Sequence, residues 1–282
     1  MSRRAAAADL LAASRGGGAE LSLGTLAAAG AVAAAVSLAA QRAGTLTRSG
    51  AFAAWMVGTA VLAGTGWKGG GVLAAFFVSS SLVSRSAPAP RGLDPKGERR
   101  DARQVLANGG VAAAGALLGL RDAELGVWLL TSSLAAAAAD TWATASGARS
   151  SRPPRLVLGG RVVPPGTSGG VTPLGSAGAA AGALLVSSAG ALAVGRLTLL
   201  PAAALVGFGG MVLDSVLGAA AQGRFHCPRC AEHSEWPRHR CGSATIHEGG
   251  LRWLDNDGVN LATTAAAGCL GWAAWRWLCP CS

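Results

Sequence analysis

The chain has 282 residues, of which 13% are charged, half the roughly 25% of an average soluble domain, and its formal net charge is +10. Most of the chain must lie where charge is unfavourable, which excludes an ordinary soluble enzyme. The basic residues fall in short segments between apolar runs, so the positive charge indicates membrane topology and argues against nucleic-acid binding.

Eight apolar runs approach or reach the roughly 20 residues that a helix needs to cross a bilayer. They cover residues 21–40, 50–66, 69–84, 104–120, 125–146, 173–194, 199–220 and 256–278. Because backbone groups in lipid must be satisfied within the protein, each run is expected to be a helix. We predict an all-α, polytopic transmembrane bundle of about seven or eight helices. Its parts are an N-terminal extension (1–20), one transmembrane domain (21–278) with a Cys/His loop (221–254), and a tail (279–282).

The distribution of Lys and Arg predicts the orientation of the bundle. Seventeen of the 24 Lys and Arg residues lie in the connections after runs one, three, five and seven. By the positive-inside bias, that side is expected to be cytoplasmic, or stromal in a plastid. The host membrane is expected to be a bacterial plasma membrane or a chloroplast membrane.

Acidic and amide side chains gather on the same side. Asp101, Gln104 and Asn108 are spaced to share one stripe of the fourth helix, while Asp140 and Asp214 lie near the ends of two later helices. An ionisable residue inside a membrane helix indicates a functional site by default. The alternatives are hydrogen bonds to neighbouring helices and salt bridges to loop arginines.

The last helix begins with a second acidic segment. Asp255, Asn256, Asp257 and Asn260 stand at its start, where one acid is explained by N-capping but two acids with two Asn are not. Oxygen ligands in this number suit Mg²⁺, with Asp255 and Asp257 as its ligands. Capping alone remains the alternative.

A glycine-rich turn precedes the sixth helix. Gly166, Thr167, Ser168, Gly169 and Gly170 offer backbone N–H groups and hydroxyls near a helix N-terminus, an arrangement that favours an anion such as phosphate. The turn lacks the spacing of a Walker loop. A turn whose glycines serve only close packing is the alternative.

Cysteines and histidines cluster in the loop at 221–254. Cys227 and Cys230 have the spacing of half a zinc site, and Cys241 with His239 supplies a second half. The sequence predicts a structural Zn²⁺ bound by these four residues, with unpaired thiols as the alternative.

Five ordered motifs carry a family resemblance. They lie at residues 93–110, 139–143, 164–172, 213–215 and 253–260. Together they resemble the DUF92, or transmembrane protein 19, family of integral membrane proteins, over residues 20 to 278. The resemblance to its characterised plant branch implies a kinase of tocopherol supply, which converts phytyl phosphate to phytyl diphosphate with a nucleoside triphosphate.

The expected function is therefore a prenyl-phosphate kinase that uses Mg²⁺ and CTP or ATP. Its partners would be the nucleotide and an isoprenoid or other lipid phosphate in the membrane, and the oligomeric state stays open. The expected catalytic residues are Asp101, Asp140, Asp214, Asp255 and Asp257. The expected phosphate-binding residues are Lys96, Arg100, Arg103, Asn108, Arg161, the five residues of the glycine-rich turn, Asn256 and Asn260.

Three other functions fit the same residues. A cytidylyltransferase would use this site but attack the α-phosphorus and form a CDP-lipid. A transporter would use the buried acids as a proton or cation relay, and it would place them near the bilayer midplane. A membrane scaffold would keep its function when all of these acidic residues are replaced.

Overall fold

The computed structural model describes residues 22–88, 99–234 and 236–279, and seven α-helices account for most of them. In chain order these are α1 (Leu23–Arg42), α2 (Arg48–Arg85), α3 (Ala102–Leu117), α4 (Ala123–Gly147), α5 (Pro173–Val194), α6 (Leu200–Ala220) and α7 (Asn256–Leu278). Single 3-10 turns at Leu118–Leu120 and Leu197–Leu199 precede α4 and α6. The predicted helical class is confirmed.

Short strands lie in two of the connections. β1 (Arg155–Leu156) and β2 (Gly170–Val171) pair antiparallel between α4 and α5. β3 (Arg224–Cys227), β4 (Glu232–Ser234) and β5 (Ile246–Gly249) form an antiparallel sheet of order β4-β3-β5 between α6 and α7. The predicted Cys/His loop is thus a small β-subdomain, residues 221–254.

Helix α2 is a hairpin of two antiparallel legs. A straight helix of its 38 residues would be about 57 Å long, yet the guanidinium of Arg85, its last residue, donates to the carbonyl of Ala43, just before its start. The chain reverses at Gly66, whose φ of 59° and ψ of −150° are not helical and are accessible mainly to glycine. The runs predicted at 50–66 and 69–84 are therefore two separate legs, joined by a one-residue bend.

Helix α4 lies at the centre of the bundle. Every residue from Gly126 to Ala139 is buried, so the other helices shield α4 from lipid. Small residues make this possible: a Cβ built on Gly210 of α6 would lie 2.5 Å from Cβ of Ala136, and one on Gly182 of α5 would lie 2.9 Å from the Ala138 carbonyl. Such close backbone approach is how membrane helices associate through dispersion contacts.

Among the described residues, four helices are long and apolar enough to cross a membrane by length and composition. They are α1, α2, α5 and α6 with its preceding 3-10 turn. Helix α3 has 16 residues, and α4 and α7 pack against the interior of the bundle through buried faces. The polar connections then meet at the two ends of the bundle.

We call one end the basic face, formed by residues 42–50, 85–88, 99–103, 147–172 and 219–258. There the amide of Thr47 donates to the carbonyl of Arg100 at 3.0 Å, and Nη2 of Arg149 donates to Oγ of Ser86 at 2.6 Å. At the opposite end, Arg196 forms an ion pair with Glu124 at 3.0 Å. The described loops of the predicted positive side thus contact one another.

A glycine in the hairpin provides a test of this packing. A Cβ on Gly64 would overlap the backbone oxygen of Ala116, whereas a Cβ on Gly71 would meet nothing within 4 Å. The backbone oxygen of Ala116 cannot rotate away from the added methyl group as a side chain could. We therefore expect Gly64→Ala to reduce the stability of the purified protein by about 1–3 kcal/mol. Gly71→Ala, the matched control, should be neutral or stabilising because Ala favours helix. Thermal unfolding in one detergent measures both; equal melting temperatures would contradict the close approach of α2 to α3.

Candidate functional site

The start of α3 shows why the predicted polar stripe lies where it does. Asp101 is the N-cap: its Oδ1 accepts from the amide of Gln104 at 3.0 Å, and Oε1 of Gln104 accepts from the amide of Asp101 at 3.1 Å. This reciprocal pair is a capping box. Nδ2 of Asn108 donates to the carbonyl of Gln104 at 3.1 Å. The structure therefore gives Asp101 and Gln104 a role in starting the helix, with Asn108 one turn further in.

Arg103 and Asp255 connect α3 to α7. Nη2 of Arg103 lies 2.8 Å from Oδ2 of Asp255, while Oδ1 of Asp255 caps α7 by accepting from the amide of Gly258 at 2.9 Å. The Asp255 side chain is only 12% exposed, but that of Arg103 is 64% exposed. One side of the guanidinium is thus held in place, and the rest is available to an anion at the basic face.

The first turns of α7 are polar and mostly buried. Asp257 and Asn260 are buried, and Asn256 is half-buried. One turn beyond Asn260, the hydroxyl of Thr264 lies 2.9 Å from the carbonyl of Ala107 in α3. Helices α3 and α7 are therefore joined both at their starts and two turns inside the bundle.

Packing of α4 against α6 brings two more carboxylates to one level. Both helices run towards the basic face, and Ala136 contacts Gly210. Asp140 and Asp214 each follow their contact residue by four positions, so each lies one turn closer to the basic face on the same side of its helix. Both side chains are half-buried.

Helix α7 reaches the same level. Ala267 lies 3.9 Å from the Cβ position of Gly210, and one turn closer to the basic face Oγ1 of Thr263 lies 3.5 Å from Oδ2 of Asp214. Asp140 and Asp214 precede the ends of their helices by seven and six residues, a depth of about 9–11 Å below the basic face. Carboxylates from α4, α6 and α7 are therefore brought to one end of the bundle.

The glycine-rich turn packs on α6 and does not itself form a helix start. A Cβ on Gly169, whose φ is +77°, would lie 2.6 Å from the carbonyl of Ser215. Helix α5 begins with Pro173 after an N-cap by Thr172, whose Oγ1 accepts from the amide of Gly175 at 3.0 Å. Because proline has no N–H and the cap takes another, few free amides remain there for an anion.

The other expected phosphate ligands have different positions. Gly166 is exposed, Ser168 and Gly170 are half-buried, and the hydroxyl of Thr167 donates to the carbonyl of Pro164 at 2.8 Å. Arg161 is exposed beside β1. The guanidinium of Arg100 lies over the ring of Phe76, 6.0 Å from its centroid. Lys96 lies outside the described residues.

The four predicted metal ligands meet in the β-subdomain. The ligand atoms of Cys227, Cys230, His239 and Cys241 all lie within 4.8 Å of one another, so the group could hold a metal ion such as zinc. The sulfurs of Cys227 and Cys241 are 3.7 Å apart. Two thiolates bound to one tetrahedral zinc at about 2.3 Å are separated by about 3.8 Å, so the spacing fits.

Contacts around these ligands favour metal binding. Oε2 of Glu232 lies 3.1 Å from Nε2 of His239, the carboxylate–histidine arrangement that orients an imidazole ligand. Hydrogen bonds to Ser243 and His239 lower the pKa of Cys241 to about 5, while the hydrogen bond between Cys230 and Cys241 raises the pKa of Cys230 to about 11. Cys241 is thus a thiolate at neutral pH, the form that binds metal.

Two contributors to the site were not predicted from the sequence. Thr263 beside Asp214 could have been found, because it continues the polar spacing of Asp257 and Asn260 along one face of α7. Glu232 could not, because its contact with His239 depends on the pairing of β3 with β4.

Comparison with known proteins gives the family. A family profile described as "Integral membrane protein DUF92" matches residues 31–268. Protein PGR of Arabidopsis thaliana is 30% identical over 229 residues, which are 70% of this chain and 78% of that protein. Uncharacterized membrane protein MJ0933 of Methanocaldococcus jannaschii is 32% identical over 154 residues, 52% of this chain and 63% of that protein. No solved structure matches.

Neither relative's name states an activity, and the family match covers every described acidic residue placed at the basic face above. Helices of the required length and composition agree with a chain that crosses the membrane several times. The chain belongs to the DUF92 family and is a multi-pass integral membrane protein.

Proposed function

We propose that the protein is a membrane phosphotransferase that extends a lipid-borne monophosphate, of the phytyl or related isoprenoid class, to a diphosphate with CTP or ATP. The observation that carries the proposal is the meeting of Asp140, Asp214 and Asp257 with the Arg103–Asp255 pair at one face of the bundle. Phosphoryl transfer requires mainly positioning and charge neutralisation, which such residues supply.

The acidic residues fit a divalent cation. Mg²⁺ commonly binds through one or two carboxylates and the phosphates of its substrate, and when bound it would neutralise nucleotide phosphate oxygens. Among these carboxylates we propose Asp257, buried in the first turn of α7, and Asp214, beside Thr263, as cation ligands. Asp255 has an oxygen on Arg103 and another on the helix cap, so we assign it mainly to positioning Arg103.

The basic residues fit the phosphates. Arg103 is anchored on one side and exposed on the other, which suits a phosphate oxygen arriving from solvent or headgroup level. In the proposal Arg100 and Arg161 add positive charge at the same basic face. The glycine-rich turn supports the site by holding the end of α6, where Gly169 packs against Ser215.

The depth of the acids supports a lipid phosphate as substrate. Asp140 and Asp214 lie about 9–11 Å below the helix ends, whereas the midplane of a ~30 Å hydrocarbon core lies about 15 Å from its edge. A phosphate held near the basic face leaves its isoprenoid chain in the hydrocarbon. A transport relay would need such groups nearer the midplane.

The proposed reaction balances without a separate base. A terminal oxygen of the lipid phosphate attacks the γ-phosphorus, the bond between that phosphorus and the bridging oxygen breaks, and the nucleoside diphosphate leaves. Because the nucleophile is already an oxyanion, no proton has to be removed before attack. Arg103 would counter the charge on the transferred group.

Product analysis tests the proposal. Purified protein in detergent is supplied with phytyl or geranylgeranyl monophosphate, Mg²⁺ and CTP or ATP, and lipid products are followed by mass spectrometry. The expected products are the lipid diphosphate and a nucleoside diphosphate. A CDP-lipid with released diphosphate would replace the kinase by a cytidylyltransferase, and no product from folded protein would overturn both.

A further inference from the structure

The β-subdomain is too small to fold on hydrophobic burial alone. Residues 221–254 are 34 residues long, and below about 40 residues disulfides, metals or oligomerisation are usually needed. Phe225 is the large apolar side chain buried among its described residues, while Ile246, Leu251 and Trp253 are exposed. A metal at the Cys3His group would supply the missing stabilisation.

The four ligands come from both halves of the subdomain. Cys227 ends β3 and Cys230 lies in the turn before β4, whereas His239 and Cys241 lie in the segment between β4 and β5. Glu232 of β4 contacts His239, which adds a link between the two halves. A bound metal therefore cross-links the sheet to the segment that leads into β5, and four protein ligands leave no open position for catalysis.

The same sheet connects the end of α6 to the start of α7. Two backbone hydrogen bonds join the segment that follows α6 to the segment that precedes α7. The amide of Gly223 donates to the carbonyl of Leu254 at 2.8 Å, and the amide of Leu251 donates to the carbonyl of Ala221 at 2.8 Å. A Cβ on Gly250, whose φ is +75°, would overlap the carbonyl of Gln222, so the backbone after α6 and the backbone before α7 are in close contact.

These helix ends carry the acidic residues. Asp255 follows Leu254 directly and caps α7, Asp257 lies in its first turn, and Asp214 lies six residues before the end of α6. Arg224, the first residue of β3, also donates to the carbonyl of Ala219 in the last turn of α6 at 3.1 Å. Ordering of the subdomain and ordering of these helix ends are therefore linked.

We infer that a metal bound by Cys227, Cys230, His239 and Cys241 acts as a clamp that holds the end of α6 against the start of α7 and so fixes the positions of Asp214, Asp255 and Asp257. The clamp is independent of the reaction that these acids carry out. Its failure in a test would leave the proposed function standing, because the readout is structural.

Hydrogen exchange tests the clamp in the intact protein. Purified protein is analysed for bound zinc, treated with a zinc-selective chelator, and then resupplied with Zn²⁺. The clamp predicts about one zinc per chain. It also predicts faster exchange of the amides of Gly223, Leu251 and Gly258 after chelation, reversed by Zn²⁺, while Gly126 at the opposite end stays unchanged. Exchange at the start of α7 that does not depend on zinc would overturn the clamp.

A matched pair of variants adds a second readout. Cys241→Ser should lose the bound zinc and show the fast-exchange pattern, whereas Cys269→Ser, in the exposed part of α7, should keep wild-type zinc and exchange. If Cys241→Ser does not fold, chelation and resupply of Zn²⁺ in wild-type protein decide alone. Full zinc content in Cys241→Ser, or no zinc in wild-type protein, would overturn the inference.

Discussion

Asp257→Asn is expected to lower the rate of lipid diphosphate formation by on the order of 100-fold or more, because the neutral amide cannot hold a divalent cation against the phosphates. Asn is nearly the same size as Asp, so the first turn of α7 should keep its packing. Asp257 is buried, so water cannot readily take the place of the lost carboxylate as a cation ligand. Initial rates at saturating nucleotide measure the effect.

Asp122→Asn is the matched control for this variant. Asp122 caps α4 at the opposite end of the bundle by accepting from the amide of Leu125 at 3.0 Å, and Asn caps a helix equally well. The variant removes the same charge from the chain without touching the basic face. Equal losses of activity in Asp257→Asn and Asp122→Asn would contradict the placement of the site.

Breaking the Arg103–Asp255 pair is expected to have the second largest effect. Arg103→Ala removes the cation that meets the lipid phosphate, so kcat/KM should fall about 100-fold, a loss of about 2.7 kcal/mol of transition-state stabilisation. Asp255→Asn keeps the helix cap but releases Arg103, so a smaller fall of about tenfold is expected. The double variant should be no worse than Arg103→Ala, because both changes act through one cation.

An ion pair at the opposite end provides the control for this cycle. Glu124 pairs with Arg196 at 3.0 Å, and Glu124→Gln breaks this pair while leaving the basic face unchanged. Its kcat/KM should stay within about twofold of wild type, since exposed ion pairs contribute little. Additive losses in the Arg103 and Asp255 double variant would show that the two residues act separately and would remove the positioning role of Asp255.

The membrane helices were predictable because composition alone separates them. The runs at 50–66 and 69–84 correspond to the two legs of α2, and the sequence predicted their separation within two residues of Gly66. The form of the connection was not predictable. A single residue with positive φ reverses the chain, and nothing in a Gly-Thr-Gly segment distinguishes such a bend from an ordinary packing glycine.

The Cys3His group was predictable because its ligands are close in sequence. Cys227 and Cys230 are separated by two residues, so one short turn brings their side chains together. His239 and Cys241 are also close in sequence and supply the other two ligands. The low pKa of Cys241 was not predictable, because it depends on the hydrogen bond to Ser243 in the folded turn.

The acidic site was only partly predictable. The sequence placed Asp140 and Asp214 near the same face, but their common level depends on the contact between Ala136 and Gly210, which no spacing along the chain reveals. Asp101 shows the opposite case. Its sequence contains the capping-box signal of an Asp followed three residues later by Gln, and the structure uses it in that way.

Binding of Mn²⁺, a spectroscopic substitute for Mg²⁺ at oxygen ligands, tests the central claim that the acids of the basic face form a divalent-cation site. Electron paramagnetic resonance of zinc-loaded protein in detergent measures bound Mn²⁺ without any substrate. We expect saturable binding that Mg²⁺ displaces, that the double variant Asp214→Asn/Asp257→Asn abolishes, and that Asp122→Asn leaves unchanged. Equal binding by all three proteins, or no binding by wild-type protein, would contradict the claim.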